Sequence, residues 1–416
     1  MLKHGQENID YQRNKPLPEN ASPEEEPCQP KNASQSEAVA SDAVRYPNKK
    51  RLVSLDVFRG LTVMFMIFVN NGAGDEIFHP LTHSAWNGMT PCDLVFPFFI
   101  FIMGMSTYLS LKKTQFRCTR QTLAHVLRRT LLLFLIGLAI NWTDMAFSGH
   151  PFDMSHLRIM GVMQRLGLCY GCCALSVMAI VKLTGKLHGV VILSGLLLVV
   201  YSVILLGFGG YEQDPRTNIL AIVDQQVLGF DHLYHKSAVD PEGLLSTLSA
   251  IAQTLLGFYV AFLALGRTSN MKDKVTMLLT AGALLTVIGG LLSYGMPLNK
   301  RVWSPSYALL TSGLACSVLA LLALAIDQGK QDTGGIGLGL KNMTLVFGTN
   351  PLLLYVVSEI LAIIFGATGV KEAVYQVFLA FVGNGYWASV VYATAFVALH
   401  ALMGYPLWKR HIFVKL

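Results

Sequence analysis

Charged side chains are scarce in this chain. Asp, Glu, Lys and Arg make up only 14% of the 416 residues, whereas hydrophobic residues make up 53% and the mean hydropathy is positive. Soluble domains usually carry about 25% charged residues, so the composition excludes an ordinary soluble protein and indicates one that crosses a membrane several times. The apolar runs are continuous and do not alternate with a period of two, which favours helices over a barrel of strands.

Several familiar catalytic patterns are also missing. The sequence contains no Gly-x-Ser-x-Gly, no phosphate-binding loop and no His-Glu-x-x-His, so it gives no support to a serine hydrolase, a nucleotide triphosphatase or a zinc protease. We expect no metal site, and the cysteines are scattered. The formal net charge of +7 comes from Lys and Arg in short loops, where such residues set membrane topology, so we expect no nucleic-acid partner.

The first 48 residues differ from the rest of the chain. They are rich in Glu, Pro, Asn, Ser and Gln and contain hardly any large apolar residues. A segment of this composition cannot bury enough apolar surface to fold. We therefore predict a disordered cytosolic tail at 1–48 and a single transmembrane domain at 49–416.

Ten hydrophobic spans follow the tail. The predicted spans are 54–72, 91–111, 128–146, 160–182, 188–207, 244–266, 273–294, 304–326, 344–366 and 387–405. Each is close to the roughly 20 apolar residues that a helix needs to cross a bilayer. Lys and Arg precede the first span and follow every second one, which places both termini in the cytosol. The sequence thus predicts an all-α polytopic membrane protein with about ten transmembrane helices and with the loop between the first two spans facing outward.

That first outward loop carries an unusual density of polar groups. Asn70, His83, Trp86, Asn87 and Asp93 lie between two segments that are each apolar enough to enter a bilayer. Ionisable groups at the edge of a membrane are costly and therefore indicate function. A histidine acts as a base or an acyl acceptor, a carboxylate orients it, and an amide donates to an oxyanion. The set suits acyl transfer.

Simpler roles for the same residues stay open at this point. His83 could equally be a loop histidine at the level of the lipid headgroups. Trp86 could equally anchor the loop at the membrane interface, and Asp93 could equally cap the following helix. At the cytosolic end of the first span, Asp56 and Arg59 have the spacing of an ion pair within one helix.

More polar residues fall at the same predicted depth, near the outer ends of other spans. They are Asn141, Asp144, Gln164, Arg165, Asp240, Glu242, Asn299, Lys300, Arg301 and Glu359. Packing against lipid does not require so many polar groups at one level. A water-accessible cavity or an active site does, although Arg165 also fits a simple ion pair with a carboxylate such as Asp93 or Glu359.

The motifs along the chain resemble those of one known family. They are Ser54-Leu55-Asp56-x-Phe58-Arg59-Gly60, His83-x-x-Trp86-Asn87-Gly88, Asp93-Leu94-Val95-Phe96-Pro97, Gln164-Arg165-Leu166-Gly167, Asp240-Pro241-Glu242-Gly243, Asn299-Lys300-x-x-Trp303 and Asn350-Pro351. From about Lys50 to its end the chain resembles the heparan-α-glucosaminide N-acetyltransferase family.

The resemblance implies a membrane enzyme that takes acetyl from cytosolic acetyl-CoA and delivers it to a glucosamine amine on the far side. It implies His83 as the active-site histidine, accompanied by Asn70 and Asp93, and a homodimer. Candidate substrate-binding residues are Trp86, Asn87, Arg165, Glu242, Asn299, Trp303 and Glu359. Weaker candidates for acetyl-CoA are Asp56, Arg59, Arg128 and Arg129.

The chain departs from the lysosomal enzyme of that family. It begins with a short polar tail in place of a large luminal domain and an extra span, and in this it resembles compact bacterial members. We therefore expect a multi-pass protein of a bacterial inner membrane, whose acceptor is a glucosamine-containing glycan, an oligosaccharide or a peptidoglycan fragment. The alternative is a secondary transporter of amino sugars, since many helices with inner polar residues are also typical of transporters.

Overall fold

The computed structural model describes residues 52–234, 237–268, 270–328 and 335–414, with the backbone alone at 335–338. The predicted tail at 1–48 lies outside the described residues. Within the described part the chain forms helices and no strands. The helices are α1 (Val53–Asn70), α2 (Val95–Lys113), α3 (Arg120–Phe147), α4 (Val162–Thr184), α5 (Gly189–Gly207), α6 (Ile219–Leu228), α7 (Leu244–Ala261), α8 (Met271–Leu292), α9 (Pro305–Leu322), α10 (Gly335–Thr349), α11 (Pro351–Ala367), α12 (Val370–Val382) and α13 (Gly385–Lys409).

In the described part, nine helices are long and apolar enough to cross a membrane, and a bent pair brings the count to ten if it is one span. The predicted all-α polytopic architecture is therefore confirmed. The bent pair is α10 and α11, which meet at an angle of 82° where a single straight span was predicted over 344–366. Pro351 starts α11 and lacks the N–H that would continue α10, and it disfavours helical geometry at Asn350.

Two further differences from the predicted spans have simple causes. Helix α3 starts at Arg120, eight residues before the predicted start at 128, because Thr119 Oγ1 accepts a hydrogen bond from Thr122 N at 3.1 Å and caps a basic first turn. Hydropathy alone misses that turn. Helix α12 has 13 residues and carries Lys371 and Glu372, so it is too short and too polar to be read as a span.

Close helix crossings at glycine fix how the bundle packs. A Cβ atom on Gly104 of α2 would overlap the carbonyl oxygen of Thr254 in α7, and one on Gly257 of α7 would overlap the carbonyl oxygen of Phe101. Only glycine allows two backbones to approach so closely. The position of α2 against α7 is therefore set by contact between backbones.

One end of the bundle collects the loop that contains His83, the loop between α8 and α9, and the segment around α6. We call it the His83 end. A small hydrophobic cluster lies there, separate from the main core; its buried members are Trp86, Tyr201, Leu205, Leu220, Val239 and Val302. It packs the segment around α6 against the His83 loop and the α8–α9 loop, and so holds together the parts of the chain that carry the candidate site.

Candidate active site

His83 and Asp93 form a hydrogen-bonded pair at the start of α2. His83 Nδ1 lies 2.8 Å from Asp93 Oδ1. A carboxylate only accepts hydrogen bonds, so Nδ1 carries the hydrogen and Nε2 keeps its lone pair. The His83 side chain is 48% exposed, whereas that of Asp93 is fully buried. This arrangement leaves one basic ring nitrogen accessible and fixes the other.

Asp93 is itself held by its surroundings. Its Oδ2 accepts hydrogen bonds from Ser84 N at 3.1 Å, Thr90 N at 3.1 Å and Thr90 Oγ1 at 3.0 Å. Its backbone carbonyl accepts from Tyr307 Oη of α9 at 2.5 Å. Thr90 and Asp93 form a capping box on the short turn Pro91–Leu94 that precedes α2, in which Asp93 Oδ2 accepts from Thr90 N and the Thr90 side chain accepts from Asp93 N. Asp93 therefore caps the helix and orients the histidine at the same time.

Lys300 and Cys92 complete the surroundings of the ring. Lys300 Nζ lies 3.0 Å from His83 Nδ1, 3.3 Å from His83 Nε2 and 3.6 Å from Asp93 Oδ1. Cys92 Sγ lies 3.1 Å from His83 Nδ1, and its residue is 2% exposed. The sequence placed Lys300 at the same depth as the site but did not connect it to the histidine. The sequence signal for a role of Lys300 near the histidine was its position in the motif that also contains Asn299 and Trp303.

Asn299 organises the loop that carries Lys300. Its Oδ1 accepts from Arg301 N at 2.8 Å and Val302 N at 3.1 Å, and its own N–H donates to Ser304 Oγ at 3.1 Å. Its Nδ2 donates to Asn87 Oδ1 at 3.1 Å. The structure thus brings two predicted substrate residues, Asn87 and Asn299, into contact with each other and beside the histidine.

The two predicted tryptophans lie inside the protein. Trp86 is 8% exposed and donates from Nε1 to the carbonyl of Tyr211 at 2.9 Å. Trp303 is fully buried, adopts a positive φ of 50° and donates to Gln253 Oε1 at 3.0 Å. Both rings pack against other parts of the chain, so neither presents an open face for a sugar in this conformation.

Asn70 lies at the end of α1 and its side chain lies close to Glu359 of α11. Among the described residues, no hydrogen bond joins Asn70 to His83 or Asp93. Tyr355 also lies close to Glu359. The structure therefore groups two predicted site residues, Asn70 and Glu359, in a pair of their own.

Glu242 is engaged by arginine. Arg158 Nη2 donates to Glu242 Oε2 and to Asp240 Oδ1, both at 2.8 Å. Burial opposes the charged form, but Arg158 and Arg165 hold the pKa of Glu242 below its usual value. Glu242 is thus a paired carboxylate rather than an open site for an ammonium group.

Arg165 is completely buried and binds the start of α7. It donates to the carbonyl of Gly243 at 3.1 Å and to Ser246 Oγ, and its guanidinium lies 5.1 Å from the centre of the Trp303 ring. The ion pair that the sequence left open for Arg165 is replaced by these backbone, hydroxyl and aromatic contacts. Arg165 therefore links the start of α7 to Trp303 in the α8–α9 loop.

The four candidates for acetyl-CoA lie toward the opposite end of the bundle, on α1 and α3. Arg59 pairs with Asp56 at 3.0 Å, as their spacing predicted, and donates to Ser106 Oγ at 2.7 Å. Arg128 is exposed, and the guanidinium of Arg129 lies 4.5 Å from the centre of the Tyr170 ring. Tyr170 also lines a cavity of about 330 Å³ between α2, α3 and α4.

A larger cavity, of about 510 Å³, lies beside the turn that carries Asp93. Its lining includes Pro91 and Leu94 of that turn and Phe58 of α1. The hydroxyls of its two threonines, Thr62 and Thr394, bond to carbonyls of their own helices. The lining therefore offers little to a polar occupant and suits an apolar one.

The comparisons with known proteins agree with the motifs. Residues 51–222 match the family model described as heparan-alpha-glucosaminide N-acetyltransferase, catalytic. The chain is 30% identical over 363 residues to the heparan-alpha-glucosaminide N-acetyltransferase of Homo sapiens, covering 74% of this chain and 53% of that protein. It is 30% identical over 374 residues to the protein of the same name from Mus musculus, covering 76% and 54%. The chain spans about half the length of these curated relatives. The resemblance that the motifs predicted is therefore confirmed: the chain is similar to the heparan-alpha-glucosaminide N-acetyltransferases and matches the model of their catalytic region over residues 51–222.

Proposed function

We propose that this protein is a membrane N-acetyltransferase that moves the acetyl group of acetyl-CoA to the amine of a glucosamine-containing acceptor. The observation that carries the proposal is the pair formed by His83 and Asp93. A buried carboxylate binds Nδ1 at 2.8 Å, and Nε2 lies on a half-exposed side chain and is not bonded to the carboxylate. The names of the relatives supply the acceptor class.

The chemistry follows from that geometry. The amine nitrogen attacks the thioester carbonyl carbon, a C–N bond forms, and the carbonyl electron pair moves onto oxygen. His83 Nε2 takes the proton that the amine loses, and Asp93 stabilises the resulting imidazolium. The oxyanion then collapses, the C–S bond breaks, and the CoA sulfur leaves as a thiolate that receives the proton from His83. In the alternative route, Nε2 attacks the thioester carbon first, the C–S bond breaks, and CoA leaves as a thiolate. The amine then attacks the acetyl carbon, the bond to Nε2 breaks, and Nε2 takes the proton that the amine loses and passes it to the thiolate.

The proposal includes the direction of transfer. Basic residues precede α1 and lie around the loop between α2 and α3, so by the positive-inside rule the His83 end faces outward and acetyl-CoA enters from the cytosol. We further propose a homodimer in a bacterial inner membrane, with Asn70 and Glu359 beside the acceptor. The phosphates of CoA are strong anions, so Arg59, Arg128 and Arg129 are the first residues to test for its binding.

The experiment uses purified protein with acetyl-CoA labelled on the acetyl carbon and with glucosamine. We expect labelled N-acetylglucosamine and free CoA from the native protein and none from His83→Ala. His79→Ala is the matched control, because His79 is an exposed histidine of the same loop and should keep full activity. Transfer by His83→Ala at the native rate would remove His83 from the mechanism, and no transfer to any amino sugar by native protein would refute the proposed activity.

The 82° break between α10 and α11 favours a second candidate function. Broken helices are typical of secondary transporters, whose substrates bind where the helix is interrupted. Counterflow of labelled glucosamine into liposomes without acetyl-CoA would support a transporter. The acetyltransferase predicts no such counterflow.

A further inference from the structure

We propose that Lys300 is a catalytic residue of this transfer, and that its ammonium group stabilises the negative charge that forms on the acyl carbonyl oxygen. The inference rests on the proposed acetyltransferase function and adds a role that the motif alone did not indicate. It is carried by the position of Lys300 Nζ, which lies 3.0 Å from Nδ1 and 3.3 Å from Nε2 of the His83 ring.

The hydrogen-bonding capacity of the groups around His83 leads to this role. An ammonium group only donates, and His83 Nδ1 already carries a hydrogen directed at Asp93. Lys300 Nζ lies 3.0 Å from Nδ1 and 3.3 Å from Nε2, and of these two nitrogens only Nε2 has a lone pair to accept a hydrogen bond. When Nε2 takes a proton or bonds to carbon, that acceptor is lost. The ammonium then needs a new acceptor in the same place, and the carbonyl oxygen becomes negative at that step.

A purely structural role explains Lys300 less well. Asp93 already receives hydrogen bonds from His83 Nδ1, Ser84 N, Thr90 N and Thr90 Oγ1. Lys300 approaches it only to 3.6 Å. The carboxylate thus does not require the lysine to satisfy its oxygens. The negative charge of Asp93 does, however, attract the ammonium group of Lys300 and keep it close to the histidine.

Hydrogen bonds fix the backbone of the loop that carries Lys300. Asn299 accepts hydrogen bonds from the N–H groups of Arg301 and Val302, and Gly88 N donates to Leu298 O at 2.8 Å. Lys300 therefore projects from a loop that is held by hydrogen bonds within the loop and by one hydrogen bond to the His83 loop. Preorganised donors of this kind stabilise an oxyanion without further rearrangement.

The same assignment serves both routes to product. In direct transfer, the oxyanion forms when the amine attacks the thioester carbon. In the acetyl-histidine route, it forms when Nε2 attacks that carbon. The electron pair moves onto the same oxygen in each case, and it returns to expel the CoA thiolate. Lys300 keeps its protons throughout and contributes charge rather than a proton.

The kinetic test compares Lys300→Met, Lys300→Arg and Arg301→Met. Arg301 is the matched control, since it is a cation on the same loop that donates to Ser237 Oγ at 2.5 Å instead of to the histidine. We expect Lys300→Met to lower kcat on the order of 10²- to 10³-fold, as loss of one oxyanion donor does. KM should stay within about threefold, because the charge forms only in the transition state. Lys300→Arg should recover part of the rate, and Arg301→Met should match the native protein.

A second measurement is independent of acetyl transfer. Diethyl pyrocarbonate acylates imidazole nitrogen through a similar tetrahedral oxyanion, and the half-exposed His83 is accessible to it. Mass spectrometry would follow modification of His83 in the four proteins. We expect slower modification in Lys300→Met than in Arg301→Met. Equal or faster modification would show that Lys300 only covers Nε2 and would overturn the proposal, whether or not the protein transfers acetyl groups.

Discussion

Asn299 Nδ2 donates to Asn87 Oδ1 across 3.1 Å, and this bond ties the loop that carries Lys300 to the loop that carries His83. A backbone hydrogen bond from Gly88 N to Leu298 O at 2.8 Å runs beside it. The two loops lie 212 positions apart in the sequence. The candidate site is therefore assembled at the contact between them.

Asn87→Ala removes the side-chain hydrogen bond between the two loops and leaves the backbone bond from Gly88 N to Leu298 O in place. We expect kcat to fall about tenfold, which corresponds to roughly 1.4 kcal/mol and to the net value of one hydrogen bond. The comparison is Thr82→Ala, which removes a hydroxyl bonded only to the carbonyl of His79 in its own turn and should leave kcat unchanged. Unchanged kcat in Asn87→Ala would mean that the backbone bond alone sets the loop geometry.

Asp93→Asn keeps the size of the side chain and removes its charge. An amide stabilises the imidazolium poorly and presents a donor where Thr90 and Ser84 also donate, so we expect kcat to fall on the order of 10³-fold or more. Asp75→Asn, at an exposed carboxylate in the same loop, should have no effect. Steady-state rates with labelled acetyl-CoA measure both. Activity of Asp93→Asn within a few-fold of native would contradict an orienting role for this carboxylate.

The carboxyl group of Asp224 makes stability depend on pH. Burial raises its pKa from 3.8 to about 7, although the hydrogen bond from Leu244 N lowers it. The folded state therefore holds a proton that the unfolded state releases, and the stability from this group is present at acid pH and lost as pH rises from about 4 to about 7. We expect Asp224→Asn to remove this dependence, worth on the order of 2–4 kcal/mol.

Thermal unfolding between about pH 5 and 8 measures the effect of Asp224. The native protein should unfold at lower temperature as pH rises, and Asp224→Asn should show a flatter profile. Asp231→Asn, at a side chain that is 59% exposed, should follow the native curve. Parallel curves for Asp224→Asn and the native protein would rule out this carboxyl as the cause.

Gly104→Ala should destabilise the bundle. The added methyl group meets the carbonyl oxygen of Thr254, and forced overpacking of this kind costs about 1–3 kcal/mol. Gly195→Ala in α5 is the control, because no atom lies within 4 Å of its added Cβ and alanine favours helix by about 1 kcal/mol. Detergent thermal-shift assays should show opposite changes. An equal rise for both variants would mean that α2 and α7 separate easily.

Most of the helical framework could be predicted from hydropathy, since apolar length alone decides which segments cross a membrane. The starts of α4, α7 and α9 fall within two residues of the predictions. The bend at Asn350 was missed, although Pro351 was its signal. A hydropathy average does not register the loss of one N–H group.

The site was predictable in part. The pairing of His83 with Asp93 followed from the chemistry of two residues in one loop. The contact with Lys300 did not, because 217 positions separate it from His83 and no local pattern encodes which loops meet. The burial of Trp86 and Trp303 was missed for the same reason, since the residues that cover them, such as Tyr211 for Trp86 and Gln253 for Trp303, are distant in the sequence.

The crossing of α2 and α7 at Gly104 and Gly257 has a consequence for how this protein can diverge. Asp93 sits at the head of α2, and the depth of α2 is fixed by carbonyl groups that no substitution can alter. Side-chain replacements in the crossing can only break it. Selection for a new acceptor, in nature or in the laboratory, must therefore change the loops around the site, because the position of the Asp93 carboxylate is fixed. Libraries restricted to residues 84–90 and 296–302, with Thr90 and Lys300 left unchanged, should yield new specificities far more often than libraries in the helices.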